Sequence, residues 1–241
     1  MEPQETPVIL LVGGRGSRLG SVTELPKPLI EVAGRPFLCY VLGSLHRQGF
    51  RRIYCLTGYH AGLFEKRLDG ALREASLPDL EIHYMVEKTP LGTGGALRTI
   101  LPFLDRYGLL LNGDSYCSVE YRDLLDLAGG GGASFALTAV RVRDAGDYGG
   151  LELDAAGCVT RFREKGLTGS AWVNAGVYAV HRRFVERAIP EGVSSLEQEI
   201  LPAWLKTERV PTLRVDGFFH DIGTPERLAE ARALFPPPDL L

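Results

Sequence analysis

Long apolar runs are missing from this chain. Its longest stretch free of Asp, Glu, Lys and Arg is Gly166–His181, short of the roughly 18 apolar residues that cross a bilayer and interrupted by Ser170 and Asn174. A membrane-spanning helix is therefore not expected. The amino-terminal MEPQETPVILLV has no basic stretch and no small-residue cleavage site, so no secretory leader is expected and the protein is placed in the cytoplasm. Cysteines are few and scattered. Cys39, Cys55, Cys117 and Cys158 form no CxxC and have no His pair nearby, which argues against zinc and a disulfide framework and leaves buried free thiols as the expectation. One sign of charge does not dominate either: 27 basic and 30 acidic side chains leave a net charge of −3, without the footprint of a nucleic-acid binder. Any attraction for an anionic ligand must come from a local cluster of cations.

Present instead are length, an average apolar content and a surplus of glycine. At 241 residues, one compact domain buries roughly 70–75% of its unfolded surface and needs no disulfide or metal to hold it. With 45% hydrophobic and 24% charged residues the composition is globular, outside the disordered class. Glycine accounts for 29 residues, roughly 12% against the usual ~7%, and its placement carries the functional signal.

Val8–Val12, bounded by Pro7 and Gly13–Gly14, reads as a buried strand. Apolar residues at helical spacing (Phe37, Tyr40, Val41, Leu45) predict a helix over Phe37–Gln48, closed at Gly49. Strands are expected at Arg52–Thr57, Glu81–Met85 and Leu109–Leu111, alternating with helices at Gly62–Ala75 and at Thr93–Leu104, the latter interrupted near Pro102. That alternation implies a parallel sheet with helices on both faces. Beyond residue 115 a helix over Glu120–Leu127 leads into strands at Phe135–Val142, Gly150–Leu153, Val159–Arg163 and Val173–Val180, some of them antiparallel and extending the sheet. Helices near Arg182–Ala188 and Leu196–Leu205, a strand near Val210–Val215 and a last helix from Pro225 to about Ala233 complete the order. Gly129–Gly132 reads as a surface turn. The division is a single domain over 1–241, with a nucleotide-binding half at about 8–115 and a sugar-phosphate half at about 116–233.

Gly13-Gly14-Arg15-Gly16-Ser17-Arg18-Leu19 comes directly after the first strand, where ligands of α/β sheets bind and where glycine lets backbone N–H groups approach a phosphate or a base edge. No Gly-Lys is present there, so it is not a Walker A loop. From Gly14 the third glycine position holds Leu19, and the second strand lacks the ribose-binding acid, so a dinucleotide fingerprint fails as well, and with it an oxidoreductase reading. The loop instead carries two guanidinium groups, with Pro26-Lys27-Pro28 shortly after. Arg15, Arg18 and Lys27 together suit a polyphosphate.

The pattern G-G-x-G-[ST]-R-L followed by P-K-P resembles the nucleoside-diphosphate-sugar pyrophosphorylases, or sugar-1-phosphate nucleotidyltransferases. Later segments resemble that family in its order along the chain. Glu87-Lys88-Thr89-Pro90-Leu91-Gly92-Thr93-Gly94-Gly95-Ala96 is similar to its base-binding loop, and Leu110-Leu111-Asn112-Gly113-Asp114 to its metal-binding strand end. Tyr148-Gly149, Phe162-Arg163-Glu164-Lys165 and Val173-Asn174-Ala175-Gly176 are similar to its sugar-side segments, and His220-Asp221-Ile222-Gly223-Thr224-Pro225 to the segment of its second metal-binding Asp. Ser17 stands where Thr is commoner. Within the family, LVGGRGSRLGSVTELPKPLIEVAGRPFL, EKTPLGTGGAL, LLLNGDS and FFHDIGTPE look most like heptose 1-phosphate guanylyltransferases, with mannose-1-phosphate guanylyltransferases and muramate-type uridylyltransferases close behind.

The resemblance implies a Rossmann-like three-layer αβα sandwich with a mixed central sheet, of the GT-A-like kind. It also implies transfer of a nucleotidyl group, GMP from GTP, to a sugar 1-phosphate such as D-glycero-D-manno-heptose 1-phosphate. Carried over residue by residue, Arg18 and Arg15 hold the β- and γ-phosphates, Lys27 the α-phosphate, Lys165 the incoming sugar phosphate, and Asp114 and Asp221 one or two Mg²⁺ ions. Leu11, Gly13, Gly14, Gly16, Ser17, Glu87, Gly92, Thr93 and Gly113 face the nucleotide. Tyr148, Gly149, Glu164 and Asn174 face the sugar. His220 and Trp172 are weaker candidates, read mainly as packing. No organic cofactor, nucleic acid or membrane partner is implied, and a homodimer is the commonest assembly for such a domain. Singly, Asp114 could close an Asx turn, Asp221 could cap the last helix and Lys165 could be a solvated charge. Two other functions stay open: the same chemistry with a different base or sugar, and a silent nucleotide-sugar-binding regulatory subunit. Lys27, Asp114, Lys165 and Asp221 together favour catalysis, since a binder needs no pair of metal carboxylates.

Overall fold

The computed structural model describes residues 2–14, 25–58, 61–74, 77, 79–87, 89–146, 148–163 and 168–236. The chain divides into two units, the first made of Met1–Thr89, Asn112–Tyr116 and Phe219–Leu241, the second of Pro90–Leu111 and Cys117–Phe218. Within the first unit three strands pair in a sheet, and within the second unit four strands do. No helix among the described residues is long and apolar enough to cross a membrane.

In the first unit the apolar run Val8–Leu11 is a strand whose Val8, Ile9 and Leu10 are fully buried, as expected for a parallel strand covered on both faces. It pairs in parallel with Arg52–Gly58, with Val8 opposite Ile53 and Leu11 opposite Leu56. Arg52–Gly58 pairs in parallel with Glu81–Val86. Helices Leu38–Arg47 and Ala61–Glu74 make the crossovers. The first ends where the spacing places it: Gly49 N–H donates to His46 O at 3.0 Å and Gly49 takes φ +87°, a conformation only glycine adopts without strain. The last helix, Pro225–Leu234, begins at a Thr224 cap. Phe235 just beyond it packs on Tyr40 and Phe37, with ring centroids 4.8 and 5.4 Å apart, and on Tyr116 at 5.6 Å. Burying such a ring contributes about 1.5–3 kcal/mol. It ties the end of the chain to the first helix of the unit.

The second unit is built on strands Tyr107–Asn112, Phe135–Val142, Ala171–His181 and Thr212–Val215. Ala171–His181 runs antiparallel to both Tyr107–Asn112 and Phe135–Val142, while Thr212–Val215 runs parallel to Phe135–Val142. The sheet is mixed, as the strand-rich second half of the sequence implies. Leu151–Leu153 and Val159–Phe162 form a separate antiparallel hairpin. Its turn is closed by Asp154 Oδ1, which accepts from Ala156 N and Cys158 N at 2.9 and 2.8 Å.

Two local expectations change. Gly129–Gly132 is not simply a turn: helix Tyr121–Gly130 continues through its first two glycines. The reason is tertiary. Tyr107 Oη lies 2.8 Å from Ala133 O and 3.3 Å from Ala128 O, so the strand holds both ends of the glycine run, and Gly132 turns the chain out at φ +66°. Leu196–Leu205 is not one α-helix either. It opens as a π-helical turn, Leu196–Ile200, before the α-helical Leu201–Trp204, and Pro202 at the junction has no N–H to give.

Candidate functional site

In the first unit the chain leaves the strand Val8–Leu11 through Val12, Gly13 and Gly14. A β-carbon on Gly13 would stand 3.0 Å from Gly58 N and Leu56 O, whereas one on Gly14 would meet nothing within 4 Å among the described residues. Gly13 is thus small for packing. Glu87 comes just after the parallel strand Glu81–Val86 at the same edge.

Lys27 opens a 3₁₀ turn, Lys27–Leu29, between Pro26 and Pro28. Pro28 and Leu29 are buried beneath it. With its backbone set this way, Lys27 is mostly covered, and Nζ reaches Asp114 Oδ2 at 3.1 Å. Asp114 is set from the other side. Gly113 N–H donates to Leu11 O at 3.0 Å, and a β-carbon on Gly113 would come within 2.5 Å of Val12 Cγ1. The Asn112-Gly113-Asp114 turn therefore lies directly against the end of the first strand.

Ser115–Cys117 then pairs with Phe219–Asp221 in a two-stranded ribbon, and Ile222 N–H donates to Asp114 O at 3.0 Å. This brings Asp114 and Asp221 to the same end of the ribbon. Asp221 is held by three contacts: Gly223 N–H donates to Oδ1 at 2.7 Å, and Arg227 Nη1 lies 2.9 Å from Oδ1 and 2.7 Å from Oδ2. Asp221 and Arg227 are each only 14% exposed. His220 turns away from this cluster, its Nε2 lying 2.8 Å from Arg227 O and its ring 6.2 Å from Phe235.

Two carboxylates with oxygen donors alone suit a hard cation such as Mg²⁺, which takes one or two carboxylates and completes its shell with water or phosphate oxygens. The arrangement fits that chemistry. Asp114 Oδ1 accepts no hydrogen bond among the described residues, and each acid already faces a cationic side chain.

In the second unit Gly92–Arg98 is a short helix whose glycines meet the segment 192–196. Gly94 N–H donates to Ser194 O at 2.9 Å, Ser194 N–H to Leu91 O at 2.9 Å, and Leu196 N–H to Thr93 Oγ1 at 2.8 Å. A β-carbon on Gly92 would collide with Ser194 O, and one on Gly95 with Gly192 O. These glycines are small because another backbone lies on them. Thr93 accepts from Leu196 and keeps its hydroxyl proton to donate.

Described parts of the segments expected on the sugar side also meet in this unit. Gly150 bridges to Val173, and Arg163 N–H donates to Gly150 O at 2.8 Å, so Tyr148-Gly149, Arg163 and Asn174 lie on adjacent stretches. A β-carbon on Gly149 would stand 3.3 Å from Arg163 O. Asn174 is oriented by its own strand: Gly176 N–H donates to its Oδ1 at 3.0 Å, and its Nδ2 donates to Tyr178 Oη at 2.7 Å. Tyr178 Oη in turn lies 3.3 Å from Glu197 Oε1. The bulge between Asn174 and Tyr178, with Gly176 at φ +71°, brings the two side chains together.

The structure thus gathers Leu11, Gly13, Gly14, Lys27, Gly113, Asp114 and Asp221 in one unit, and Tyr148, Gly149 and Asn174 in the other. Arg15, Gly16, Ser17, Arg18, Glu164 and Lys165 lie outside the described residues. Sequence reasoning misses Arg227, Tyr178 and Glu197. Arg227 has one available signal, an arginine where the first turn of a capped helix usually carries an acid.

A family model described as Nucleotidyl transferase matches residues 7–235. The chain is 31% identical over 235 residues to the mannose-1-phosphate guanylyltransferase catalytic subunit beta of Drosophila pseudoobscura pseudoobscura, an alignment that covers 95% of this chain and 62% of that protein. Over 226 residues it is 30% identical to the D-glycero-alpha-D-manno-heptose 1-phosphate guanylyltransferase of Aneurinibacillus thermoaerophilus, with 93% and 96% of the two chains covered. The crystal structure of HddC from Yersinia pseudotuberculosis complexed with GMP-PN matches with a TM-score of 0.85 at 29% identity, over 96% of this chain and 100% of that one. The chain therefore spans less than two thirds of the mannose relative and nearly all of the heptose relative.

Proposed function

Because the chain belongs to the nucleotidyl transferase family, with the GT-A-like αβα fold of its solved relatives, we propose that it transfers GMP from GTP to D-glycero-D-manno-heptose 1-phosphate. A phosphate oxygen of the sugar attacks the α-phosphorus, the bond from that phosphorus to the bridging oxygen breaks, and pyrophosphate leaves with the electron pair. A GDP-heptose is formed. The observation that carries this reading is Lys27 Nζ on Asp114 Oδ2, with Asp221 at the same end of the ribbon: a cation and two carboxylates beside the end of the first strand.

The attacking group needs no general base. A phosphate monoester has a second pKa of about 6, so it is largely dianionic at pH 7. The task is to bring two polyanions together, which calls for positioning and charge neutralisation. Lys27 faces the α-phosphate, Arg18 and Arg15 the β- and γ-phosphates, and Lys165 the sugar phosphate. Leu11, Gly13, Gly14, Gly16, Ser17, Glu87, Gly92, Thr93 and Gly113 are the residues proposed to contact the nucleotide, Gly13 and Gly92 through backbone groups alone, since neighbouring backbone fills the space where a side chain would stand. The backbone at Tyr148-Gly149, with Glu164 and Asn174, takes the sugar hydroxyls. Mg²⁺, held by Asp114 and Asp221, supplies further neutralisation of the phosphates when bound.

Both relatives are guanylyltransferases, which supports guanine as the base; they differ in the sugar. Heptose is favoured because LVGGRGSRLGSVTELPKPLIEVAGRPFL, EKTPLGTGGAL, LLLNGDS and FFHDIGTPE look most like the heptose enzymes, and the 30% identity over 226 residues to one of them supports it. Mannose 1-phosphate is the second reading, supported by the 31% identity to the mannose enzyme. The cytoplasm suits a chain whose Cys39, Cys55 and Cys117 are buried thiols outside any disulfide.

Pyrophosphate release measured for four NTPs against heptose, mannose, glucose and N-acetylated sugar 1-phosphates, with and without Mg²⁺, tests the proposal. Turnover is expected with GTP and heptose 1-phosphate, only with Mg²⁺. Turnover with UTP and none with GTP overturns the base, and no turnover with any pair overturns the enzyme reading.

A further inference from the structure

Thr224 caps the last helix, its Oγ1 accepting from Arg227 N–H at 3.3 Å, and Pro225 takes the first helical position. Three residues after such a cap the first turn ordinarily carries Glu or Gln, which reaches back to the cap and suits the positive end of the helix. Here that residue is Arg227, a cation where the helix field is unfavourable to one. Its side chain is not turned out to water. It is mostly covered, as is that of Asp221, and Nη1 lies against both carboxylate oxygens. Gly223 completes the arrangement: a β-carbon there would stand 2.7 Å from Asp221 Oδ1, so any larger residue would force that carboxylate to shift.

We propose that Arg227 is a built-in counter-cation that sets how strongly the Asp221 carboxylate binds a divalent ion. This rests on the reading that Asp114 and Asp221 hold Mg²⁺. An ion that takes an Asp221 oxygen shares it with the guanidinium, and two cations a few ångströms apart repel strongly in a mostly covered site. Arg227 therefore keeps the carboxylate pair weakly metal-binding when no nucleotide is present. The phosphates of an NTP offset both cations together, so loading of the ion is coupled to loading of the nucleotide. Arg227 acts through Asp221 and is a positioning residue, not a catalytic one.

The test is Mn²⁺ binding to the full chain without nucleotide, read from the electron paramagnetic resonance signal of the free ion, for wild type, Arg227→Gln, Arg227→Met, Arg227→Lys and Asp221→Asn, each checked for folding by circular dichroism. The neutral variants are expected to bind about fivefold tighter or more than wild type, and Arg227→Lys, which keeps the charge, to stay close to wild type. Neutral variants that bind no tighter than wild type, while Asp221→Asn weakens binding, overturn the role of Arg227 alone. Binding to Asp221→Asn equal to that of wild type overturns the metal reading, and the proposal with it. Should one neutral variant fail to fold, the other is read.

Discussion

Lys27 Nζ stands 3.1 Å from Asp114 Oδ2, although 87 residues of chain separate them. The contact joins the Pro26-Lys27-Pro28 turn to the strand-end acid and places a positive charge where the α-phosphate is proposed to lie. Replacing one such preorganised charge costs about 10²–10³-fold in rate. Lys27→Met is therefore expected to lower kcat/KM by about 10²–10³-fold, while denaturant unfolding shifts by at most about 1 kcal/mol because Asp114 remains partly solvated. Steady-state kinetics and a urea titration check both halves. An unchanged kcat/KM contradicts the role.

The acids predict a different pattern. Asp114→Asn and Asp221→Asn keep the shape and lose the charge, so each is expected to reduce turnover by about 10²-fold or more, as loss of metal-based charge neutralisation does. Asp221→Asn should also lower stability, by about 1–3 kcal/mol, since it leaves the mostly covered Arg227 without its carboxylate. Chelation with EDTA should stop wild-type turnover and added Mg²⁺ restore it. Full turnover in EDTA refutes the assignment of both acids.

Glycine packing gives a prediction that concerns stability alone. At Gly95 an added methyl meets the backbone oxygen of Gly192, which cannot swing aside, so Gly95→Ala is expected to cost about 1–3 kcal/mol. Gly70 lies inside the helix Ala61–Glu74, and a β-carbon added there meets nothing within 4 Å among the described residues, so Gly70→Ala should stabilise by up to about 1 kcal/mol. Urea unfolding of the two variants tests the contrast. Equal effects contradict the packing of Gly92–Arg98 on residues 192–196.

Burial pushes the thiols of Cys55 and Cys117 up to about 12. An unfolded thiol ionises from about 8.5 upward. Above that pH the unfolded chain has lost protons that the folded chain keeps, so stability falls as pH rises. Both thiols contribute fully below the unfolded value, and the contribution is lost between about 8.5 and 12. Melting temperatures should fall from pH 8 to pH 10.5, and the slope should be shallower in Cys55→Ala and Cys117→Ala. A slope unchanged in both variants counts against their burial.

The regular elements are legible from local pattern. Val8–Leu11 is a strand because β-branched and apolar residues sit between Pro7 and a glycine pair, and Leu38–Arg47 is a helix because its apolar residues recur at helical spacing before Gly49. What is illegible depends on partners distant in sequence. Nothing local in Ser115–Cys117 or Phe219–Asp221 announces a ribbon, since each is three residues long and finds its partner about a hundred residues away. The candidate acids are readable as motif residues, but their common ribbon end is not. Arg227 shows only as a cation in the first turn of a capped helix, and its purpose is not readable until Asp221 is set beside it. The sequence of Gly92, Gly94 and Gly95 likewise does not show what lies on them: the space beside each is taken by residues 192–194.

Transfer of the α-phosphate of GTP to a sugar phosphate is the step on which the proposed activity stands. GTP labelled at the α-phosphorus, or in parallel at the γ-phosphorus, is incubated with D-glycero-D-manno-heptose 1-phosphate and Mg²⁺, and the labelled products are separated. Label from the α-position is expected in GDP-heptose, and label from the γ-position in pyrophosphate. Label from the α-position found in GDP or GMP, with none in a sugar nucleotide, refutes the transfer.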